Sequence, residues 1–362
     1  MPPIQKILFG SPGTGKSYKV REIAQQELDI EWNEQSKSLK NTIKTVFHPE
    51  YTYSDFVGKL LPQTDGSSSV IYKFYEGHFL RALGLAYKKI IDGTNKNVLL
   101  VIDELNRGNA AAIFGSIFQL LDREEDYWST YEVNLSELEI VGLLRSMGYQ
   151  TVITNQNIQI NGTNFDIFCD LTEKELKQTN NKDGLRVLEN LKNASITIPS
   201  NLSIIATINT SDESIYYLDS AFKRRWDWEY VDVPNSKRKT PEEIKNVLVV
   251  IGENKYYWYD LVIKLNEFIK SKNGIRRIED KQIGWWFLKA NEKGVIEESV
   301  IANKLMFYLW DSVFAKDKRP LEELLDQKLI TYGEFANLSS EFIKKINSEE
   351  LKKTKIQTLN NF

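Results

Sequence analysis

The sequence is poor in the residues on which disulfide-bonded, zinc-binding and histidine-dependent proteins rely. Its 362 residues include one cysteine, Cys169, and two histidines, His48 and His78. A single cysteine cannot close an intramolecular disulfide, and these three side chains are too few for a zinc finger or a zinc ribbon. Neither histidine pairs with an obvious nucleophile, which argues against a Ser-His or Cys-His hydrolase. Any catalytic function must therefore rest on other residue types.

Long hydrophobic runs and an excess of one charge are also missing. The apolar run at 98–102 is far shorter than the roughly 18 residues that a membrane-spanning helix requires. The 47 Lys and Arg against 50 Asp and Glu leave a net charge of −3, so no global field attracts nucleic acid. A glycine–proline turn at 10–12 precedes any signal-peptide core. We expect a globular, cytoplasmic protein with no membrane partner and two or three domains of roughly 150 residues each.

Near its start the sequence has a glycine-rich loop between a short strand and a helix. The apolar run at 4–9 predicts the strand, GSPGTGKS at 10–17 matches G-x-x-x-x-G-K-[ST], and the next twelve residues predict the helix. Glycines let backbone N–H groups converge on phosphate oxygens, and the helix N-terminus adds positive potential. Lys16 supplies a charge for the β- and γ-phosphates, and Ser17 a hydroxyl for Mg²⁺. The candidate nucleotide-binding residues are Gly10, Pro12, Gly13, Thr14, Gly15, Lys16, Ser17 and Tyr18.

A second motif supplies the acidic partner that such a loop needs. The run VLLVI at 98–102 is typical of a parallel strand buried on both faces, and it ends in Asp103 and Glu104. Carboxylates at the C-terminal end of such a strand lie where α/β sheets bind ligands. We expect Asp103 to hold Mg²⁺ through water and Glu104 to polarise the attacking water. Adjacent Asp and Glu at this point favour a hydrolytic motor.

The residues around these motifs resemble one family. DELNRGNAAAIFGSIFQLLDRE at 103–124 is similar to the Walker B region of McrB-type AAA+ proteins, and FHPEYTYSDFVGKLLP at 47–62 to the family's F-H-x-x-Y-x-Y-E-D-F segment. The stretch at 198–228 is similar to the family signature N-T-A-D-R-S followed by D-x-A-x-R-R-R-F. Glu213 and Lys223 stand where the family has arginine, so contacts made by those arginines do not carry over. Together the matches span most of residues 4–233.

This resemblance implies a fold and a shared active site. The implied class is α/β, an AAA+ P-loop NTPase core at 1–127 and 196–235 with a helical insertion and a C-terminal helical lid. Asn209, after the apolar strand at 202–208, is the sensor-type residue expected to orient water between Glu104 and the γ-phosphate. Arg224 and Arg225 lie where AAA+ arginines reach the next subunit's nucleotide, so a homo-oligomeric ring, a hexamer, is expected. The candidate catalytic residues are thus Glu104, Asn209, Arg224 and Arg225, and the candidate metal ligands are Ser17 and Asp103.

An insertion at 128–195 separates the acidic motif from the sensor strand. Apolar residues at 135–150 have helical spacing, and the stretch at 160–193 resembles the helical pattern of SAM (sterile alpha motif) domains. Thr172 and Glu175 have the spacing of a capping box at the start of a helix, and Asn181 stands before a last helix. We expect a small SAM-like helical module of the kind that mediates protein contacts, an arbitrary helical elaboration being the alternative.

The residues at 236–362 have the pattern of a helical lid. The stretch 242–251 and the segments after it are predicted to be helical, and KQIGWWFLKA at 281–290 resembles the family's lid segment I-G-x-x-[YW]-F. The tryptophans of this region are either core residues or stacking platforms for nucleic acid: Trp258, Trp285, Trp286 and Trp310. A basic cluster is either a solvated face or contains, in one of its last three members, a γ-phosphate sensor: Lys270, Lys272, Arg276, Arg277 and Lys281.

The predicted function is that of a Mg²⁺-dependent nucleoside triphosphatase ring of McrB type. By resemblance the nucleotide is GTP, with ATP as the alternative, and a McrC-like nuclease subunit docks on the ring to restrict foreign or phage DNA. Any DNA contact would be made through the ring or the partner, and target recognition would lie in the insertion, in a partner, or nowhere in this chain. Two alternatives stay open at this point: an ATP-driven remodelling protein, and a nucleotide-gated scaffold that oligomerises through the insertion.

Overall fold

The computed structural model describes residues 2–64, 70–154, 157–210, 216–237, 239–272, 275 and 277–348. The chain divides into two compact units. The first comprises the described residues within 1–8, 17–208 and 212–229, and the second those within 9–16, 209–211 and 230–362. No helix in these described ranges is long and apolar enough to span a bilayer.

The elements follow one another in a mixed α/β order. The strands are β1 (Gln5–Gly10), β2 (Trp32–Asn33), β3 (Ser38–Leu39), β4 (Thr42–Val46), β5 (Gly58–Thr64), β6 (Val70–Glu76), β7 (Val98–Asp103), β8 (Val133–Asn134), β9 (Thr151–Thr154), β10 (Asn157–Ile160), β11 (Thr163–Asn164), β12 (Ser195–Ile196), β13 (Leu202–Asn209), β14 (Asp227–Tyr230), β15 (Leu248–Ile251), β16 (Asn254–Tyr257) and β17 (Val295–Glu297). The α-helices are α1 (Lys16–Gln26), α2 (Tyr53–Phe56), α3 (His78–Ile91), α4 (Ala110–Phe114), α5 (Glu137–Ser146), α6 (Phe165–Gln178), α7 (Lys182–Lys192), α8 (Ser220–Lys223), α9 (Glu242–Lys245), α10 (Trp258–Ser271), α11 (Ile278–Lys281), α12 (Glu298–Val300), α13 (Arg319–Leu325), α14 (Tyr332–Ala336) and α15 (Ser339–Asn347). Leu105–Arg107 and Gly115–Leu121 form 3₁₀ turns, and Ile301–Met306 and Leu309–Val313 are π-helical.

A five-stranded sheet in the order β14-β1-β13-β7-β4 organises the first unit. β13 and β4 both run parallel to β7, with Ala206 opposite Ile102 and Val46 opposite Asp103. Five of the six β7 residues are buried, as expected for a strand covered on both faces. The predicted α/β class is therefore confirmed, and the predicted strands at 4–9, 98–102 and 202–208 are found as β1, β7 and β13.

The residues of the predicted insertion, 128–195, belong to the first unit. α5 is helical as the apolar spacing predicts, and α7 follows Asn181 as the turn pattern predicts, with Ser136 and Asn181 as the N-caps. A three-stranded sheet, β11-β10-β9, accompanies these helices, so the segment is not wholly helical. α6 begins at Phe165 behind the cap Asn164, and the proposed capping box at Thr172 was wrong. Thr172 is a buried mid-helix residue because the apolar stripe of α6 extends a further two turns towards the N-terminus. A SAM-like fold for this segment stays a prediction.

The second unit contains the residues of the predicted lid, 236–362, and has its own apolar core. The helical prediction for 242–251 was wrong in its second half, because α9 ends at Lys245 and β15 follows. The β-branched run of β15 alternates half-buried and buried side chains, which suits a strand with period two, and β16 and β17 flank it. Trp258 and Trp285 are fully buried and therefore core residues. Arg276 of the basic cluster lies outside the described residues, and so does 211–215.

Candidate active site

The phosphate-binding loop follows β1 and belongs to the second unit. Gly13 and Gly15 have φ values of +71° and +92°, a left-handed region that residues with a Cβ rarely adopt, so the loop's path depends on glycine. The buried Lys16 ammonium donates to the carbonyls of Gly10 and Ser11 at 2.9 and 3.0 Å. The loop therefore surrounds the Lys16 ammonium, which places a positive charge at the centre of the glycine turn.

A segment of the predicted lid contacts this loop through backbone atoms. The amide of Gly284 donates to the Pro12 carbonyl and the amide of Trp286 to the Gly13 carbonyl, each at 2.9 Å. A Cβ on Gly284 would overlap the Gly13 carbonyl, and a Cβ on Gly13 would overlap the backbone of Phe287. The two glycines therefore permit a backbone-to-backbone approach that no other residue type allows. This places the predicted I-G-x-x-[YW]-F segment directly against the phosphate loop within the second unit.

The acidic end of β7 is organised by a threonine from β13. The hydroxyl of Thr207 donates to Asp103 Oδ1 at 3.1 Å and lies 3.3 Å from the backbone nitrogen of Glu104, from which it accepts a hydrogen bond. Thr207 is 5% exposed, so the contact is shielded from water. Glu104 has a left-handed backbone, φ +58° and ψ +40°, which is uncommon for a residue with a side chain. One hydroxyl thus fixes two neighbouring acidic residues at the strand end.

Ser17 and Asp103, the two predicted metal ligands, line one cavity of about 320 Å³ in the first unit. A serine hydroxyl and a carboxylate are the hard oxygen donors that Mg²⁺ prefers. A cation already stands at this carboxylate, because the Lys44 ammonium lies 2.7 Å from Asp103 Oδ2. The residues present therefore fit a divalent cation held by one hydroxyl and one carboxylate, the rest of its shell coming from water and phosphate.

The two arginines after α8 differ sharply in their surroundings. Arg225 is 9% exposed, pairs with Asp122 at 2.5 Å, donates to the Ala221 carbonyl at 2.9 Å and covers the Phe118 ring at 4.0 Å. Arg224 is exposed. Arg225 is thus held by contacts within the first unit, whereas the Arg224 side chain lies at the surface.

The remaining predicted site residues are distributed between the two units. Asn209 is the half-buried last residue of β13 and belongs to the second unit. Thr14 is buried, and its hydroxyl donates to the Ser11 carbonyl at 3.0 Å. Tyr18, in the first turn of α1, is 46% exposed. Ser17 and Asp103 are brought together in one cavity, and Glu104 follows Asp103 directly.

Sequence reasoning missed three residues of this region: Lys44, Thr207 and Arg123. Arg123 donates to the carbonyls of Tyr127, Pro199 and Leu202 at 2.8–3.1 Å. Burial lowers the pKa of this guanidinium to about 10. A polar residue inside the apolar run of β13 was the available signal for Thr207. Lys44 and Arg123 had no comparable signal, because Lys44 pairs with the distant Asp103 and two of the three Arg123 acceptors, Pro199 and Leu202, lie more than 70 residues away.

Comparison with known proteins agrees with these features. The profile of the AAA domain (dynein-related subfamily) matches residues 5–226, more than half of the chain. The component YdiS of the type II restriction enzyme BsuMI from Bacillus subtilis (strain 168) is 30% identical over 335 residues, 86% of this chain and 80% of YdiS. The EcoKMcrB subunit of the type IV methyl-directed restriction enzyme from Escherichia coli (strain K12) is 28% identical over 155 residues, 39% of this chain and 30% of that subunit.

Two solved structures align with the chain only loosely. A candidate ATPase of Cytophaga hutchinsonii reaches a TM-score of 0.28 at 11% identity over 74% of this chain and 58% of its own. PCH-2 of C. elegans reaches 0.25 at 14% identity over 94% of this chain and 61% of its own. Both TM-scores lie well below 0.5. The profile match and the YdiS alignment show the family: the chain belongs to the dynein-related subfamily of AAA domains and is a McrB-like P-loop nucleoside triphosphatase.

Proposed function

We propose that the chain is a GTP-hydrolysing ring motor that drives a partner nuclease in the restriction of foreign DNA. The observation that carries the motor proposal is the shared cavity of Ser17 and Asp103. It joins the last residue of the phosphate-binding motif to the acid of β7. The restriction role is supported by the names of YdiS and EcoKMcrB, each a part of a restriction enzyme. GTP, the hexamer and a McrC-like nuclease rest on the family resemblance.

Each residue of the site has a proposed role that its chemistry supports. Lys16 and the backbone amides of the loop bind the β- and γ-phosphates, and Ser17 and Asp103 hold Mg²⁺. The metal supplies positive charge against the phosphate oxygens. Glu104 accepts the proton of the attacking water, and Asn209 orients that water. Thr207 keeps the carboxylate of Asp103 in place.

Hydrolysis across a subunit boundary completes the proposal. The exposure of Arg224 supports it as the residue that reaches the neighbouring subunit's γ-phosphate. The ion pair of Arg225 with Asp122 supports a positioning role, in which Arg225 anchors the end of α8. The ring is then required for catalysis, because each site is incomplete without the next subunit.

Hydrolysis assays with and without Mg²⁺ and DNA test the proposal, with GTP and ATP compared. We expect Mg²⁺-dependent turnover that favours GTP. Glu104→Gln should retain bound nucleotide and assembly but slow turnover by about a hundredfold or more. Glu125→Gln is the matched control, because Glu125 is an exposed acid after the same motif. Unchanged turnover in Glu104→Gln would show that the base is another group. Failure of the wild type to bind either nucleotide would contradict the proposal that the chain is a motor.

A second experiment addresses the partner and the choice of nucleotide. Co-expression with a McrC-type nuclease should give a complex whose GTP turnover exceeds that of the chain alone. A strict ATP preference without stimulation by such a nuclease would favour the remodelling alternative. Slow hydrolysis that no partner stimulates would favour a scaffold.

A further inference from the structure

Lys44 and Asp103 form an ion pair at the centre of the candidate metal site. The ammonium lies 2.7 Å from Asp103 Oδ2, while the other carboxylate oxygen accepts from the Thr207 hydroxyl. Both oxygens of Asp103 are therefore engaged, one of them by a full positive charge. The Asp103 side chain is 16% exposed, so water screens this charge only in part.

The register of two parallel strands explains this pairing. Lys44 lies opposite Val101 and Val46 opposite Asp103. Side chains two apart on a strand share a face, so Lys44, Val101 and Asp103 point to the same side of the sheet. Asp103 lies two residues beyond Val101 on β7, a distance that the long lysine side chain can span. The contact is therefore determined by the register of the two strands and does not depend on a loop.

Other charges facing the same cavity have the sign of Lys44. Arg21 and Lys37 also line it, and Asp103 is the one acidic side chain in its described lining. The Arg21 guanidinium lies 3.8 Å above the Trp32 ring. A free divalent cation would thus meet three positive side chains and one carboxylate that is already paired. Electrostatics disfavour its entry unless negative charge arrives with it.

We propose that Lys44 is a resident counter-ion of Asp103 that competes with the divalent cation and makes metal entry dependent on nucleotide. The inference rests on the proposed function, because it assumes that Asp103 holds the metal. The side chain of Lys44 is 56% exposed, so its ammonium can leave the carboxylate at small cost. The negative charge of the triphosphate outweighs the positive side chains, and the metal then displaces the ammonium. Lys44 acts here as a positioning residue.

Binding of Mn²⁺, followed by calorimetry or electron paramagnetic resonance, tests the competition without any turnover. The titration is done on the full chain with a non-hydrolysable GTP analogue, with the corresponding ATP analogue, and without nucleotide. Lys44→Met should raise the Mn²⁺ affinity of the nucleotide complex by about threefold to fivefold, the range that a partly exposed ion pair supports. Lys44→Arg keeps the charge and should match the wild type. Without nucleotide, both proteins should bind Mn²⁺ more weakly than with it, and the wild type should again bind it about threefold to fivefold more weakly than Lys44→Met does.

Lys40→Met is the matched control, because Lys40 is an exposed lysine just before β4 that pairs with Glu31 at 2.5 Å. Its Mn²⁺ affinity should equal that of the wild type. Equal affinities in Lys44→Met and the wild type, or an equal rise in Lys40→Met, would overturn the inference. Lys44→Gln makes the same change in charge and replaces the methionine variant if thermal melting shows that variant to be unfolded. If the wild type takes up neither analogue, it is the proposed function that fails.

Discussion

Thr207 donates its hydroxyl to Asp103 across 3.1 Å, over a sequence separation of 104 residues. The same oxygen lies 3.3 Å from the backbone nitrogen of Glu104. Thr207 thus orients the carboxylate that we propose to hold the metal, and it also holds the backbone at the start of the next turn. A change at Thr207 is therefore expected to affect nucleotide hydrolysis more than nucleotide binding, and the two can be measured separately.

Thr207→Val should impair turnover more than binding. Valine has the shape of threonine but cannot hydrogen-bond, so Asp103 would lose one of its two polar contacts and the Glu104 amide would lose its acceptor without a change in packing volume. Because each hydrogen bond contributes about 1 kcal/mol, we expect a fall of about fivefold or more in kcat. The nucleotide Kd, measured by fluorescence, should change little. Thr207→Ser keeps the hydroxyl and should behave like the wild type, and a valine variant with full kcat would contradict this role.

Arg224 and Arg225 should fail in different ways. Arg225→Met breaks the ion pair with Asp122 and should lower the free energy of unfolding by about 2 kcal/mol, because hydrogen bonds to charged groups stabilise by about that amount. Arg224→Ala removes an exposed side chain, so its Tm should stay unchanged. Its turnover should nonetheless fall by about a hundredfold or more, as for other arginines that act on a phosphoryl group. Chemical denaturation and steady-state assays separate the two effects.

Mixing variants tests whether Arg224 acts across subunits. Lys16→Ala loses its own nucleotide site but still carries Arg224, whereas Arg224→Ala keeps an intact loop. If the active site is shared, a mixture of the two inactive variants should recover part of the turnover. Mixtures that stay inactive although both variants assemble together would count against action in trans.

Gly284→Ala should weaken nucleotide binding without unfolding the chain. The added methyl group would overlap the Gly13 carbonyl and push the lid segment away from the phosphate loop. Loss of the two backbone hydrogen bonds at Pro12 and Gly13 would misalign the loop, and we expect an affinity loss of about tenfold or more. Gly333→Ala, at an uncrowded glycine of the same unit, is the control. Equal affinities in the two variants would show that this contact does not shape the loop.

His78 should make stability depend on pH near neutrality. Burial lowers the pKa of His78 below its ordinary value of 6.5, and its Nδ1 lies 2.8 Å from the Tyr51 hydroxyl. As the pH falls below 6.5, the unfolded chain takes up the proton first, so stability drops until the folded pKa is reached. Asp55, whose pKa is lowered by its bond to Lys59, contributes only below its ordinary value of 3.8.

Melting curves between pH 5 and 8 measure this effect. The free energy of unfolding should change with pH by at most the slope that corresponds to the uptake of about one proton on unfolding. His78→Gln should flatten the dependence of Tm on pH in this range. His48→Gln, at the chain's other and exposed histidine, should leave it as it is. A His78→Gln variant with the slope of the wild type would show that another group titrates here.

The parts of the site that could be predicted are those encoded by neighbouring residues. The loop at 10–17 and the strand ending at Asp103 follow from local pattern, because glycine spacing and apolar runs act over a few residues. The start of α6 and the strand β15 were mispredicted for the same reason. A cap-like Thr172 and a helix-compatible 242–251 are locally acceptable, but Asn164 caps α6 a full two turns earlier, and pairing with β16 and β17 makes 248–251 a strand.

By itself, the sequence determined the phosphate loop, the acidic pair and the strands β1, β7 and β13, since each depends on residues adjacent in the chain. Only the tertiary structure decided that Lys44 and Thr207 hold the two oxygens of Asp103, that Gly284 meets Gly13, and that Arg225 is buried against Asp122. These relationships join residues that are far apart in the sequence. They exist because parallel strands and a folded lid bring those residues together, and no local pattern encodes which partners meet.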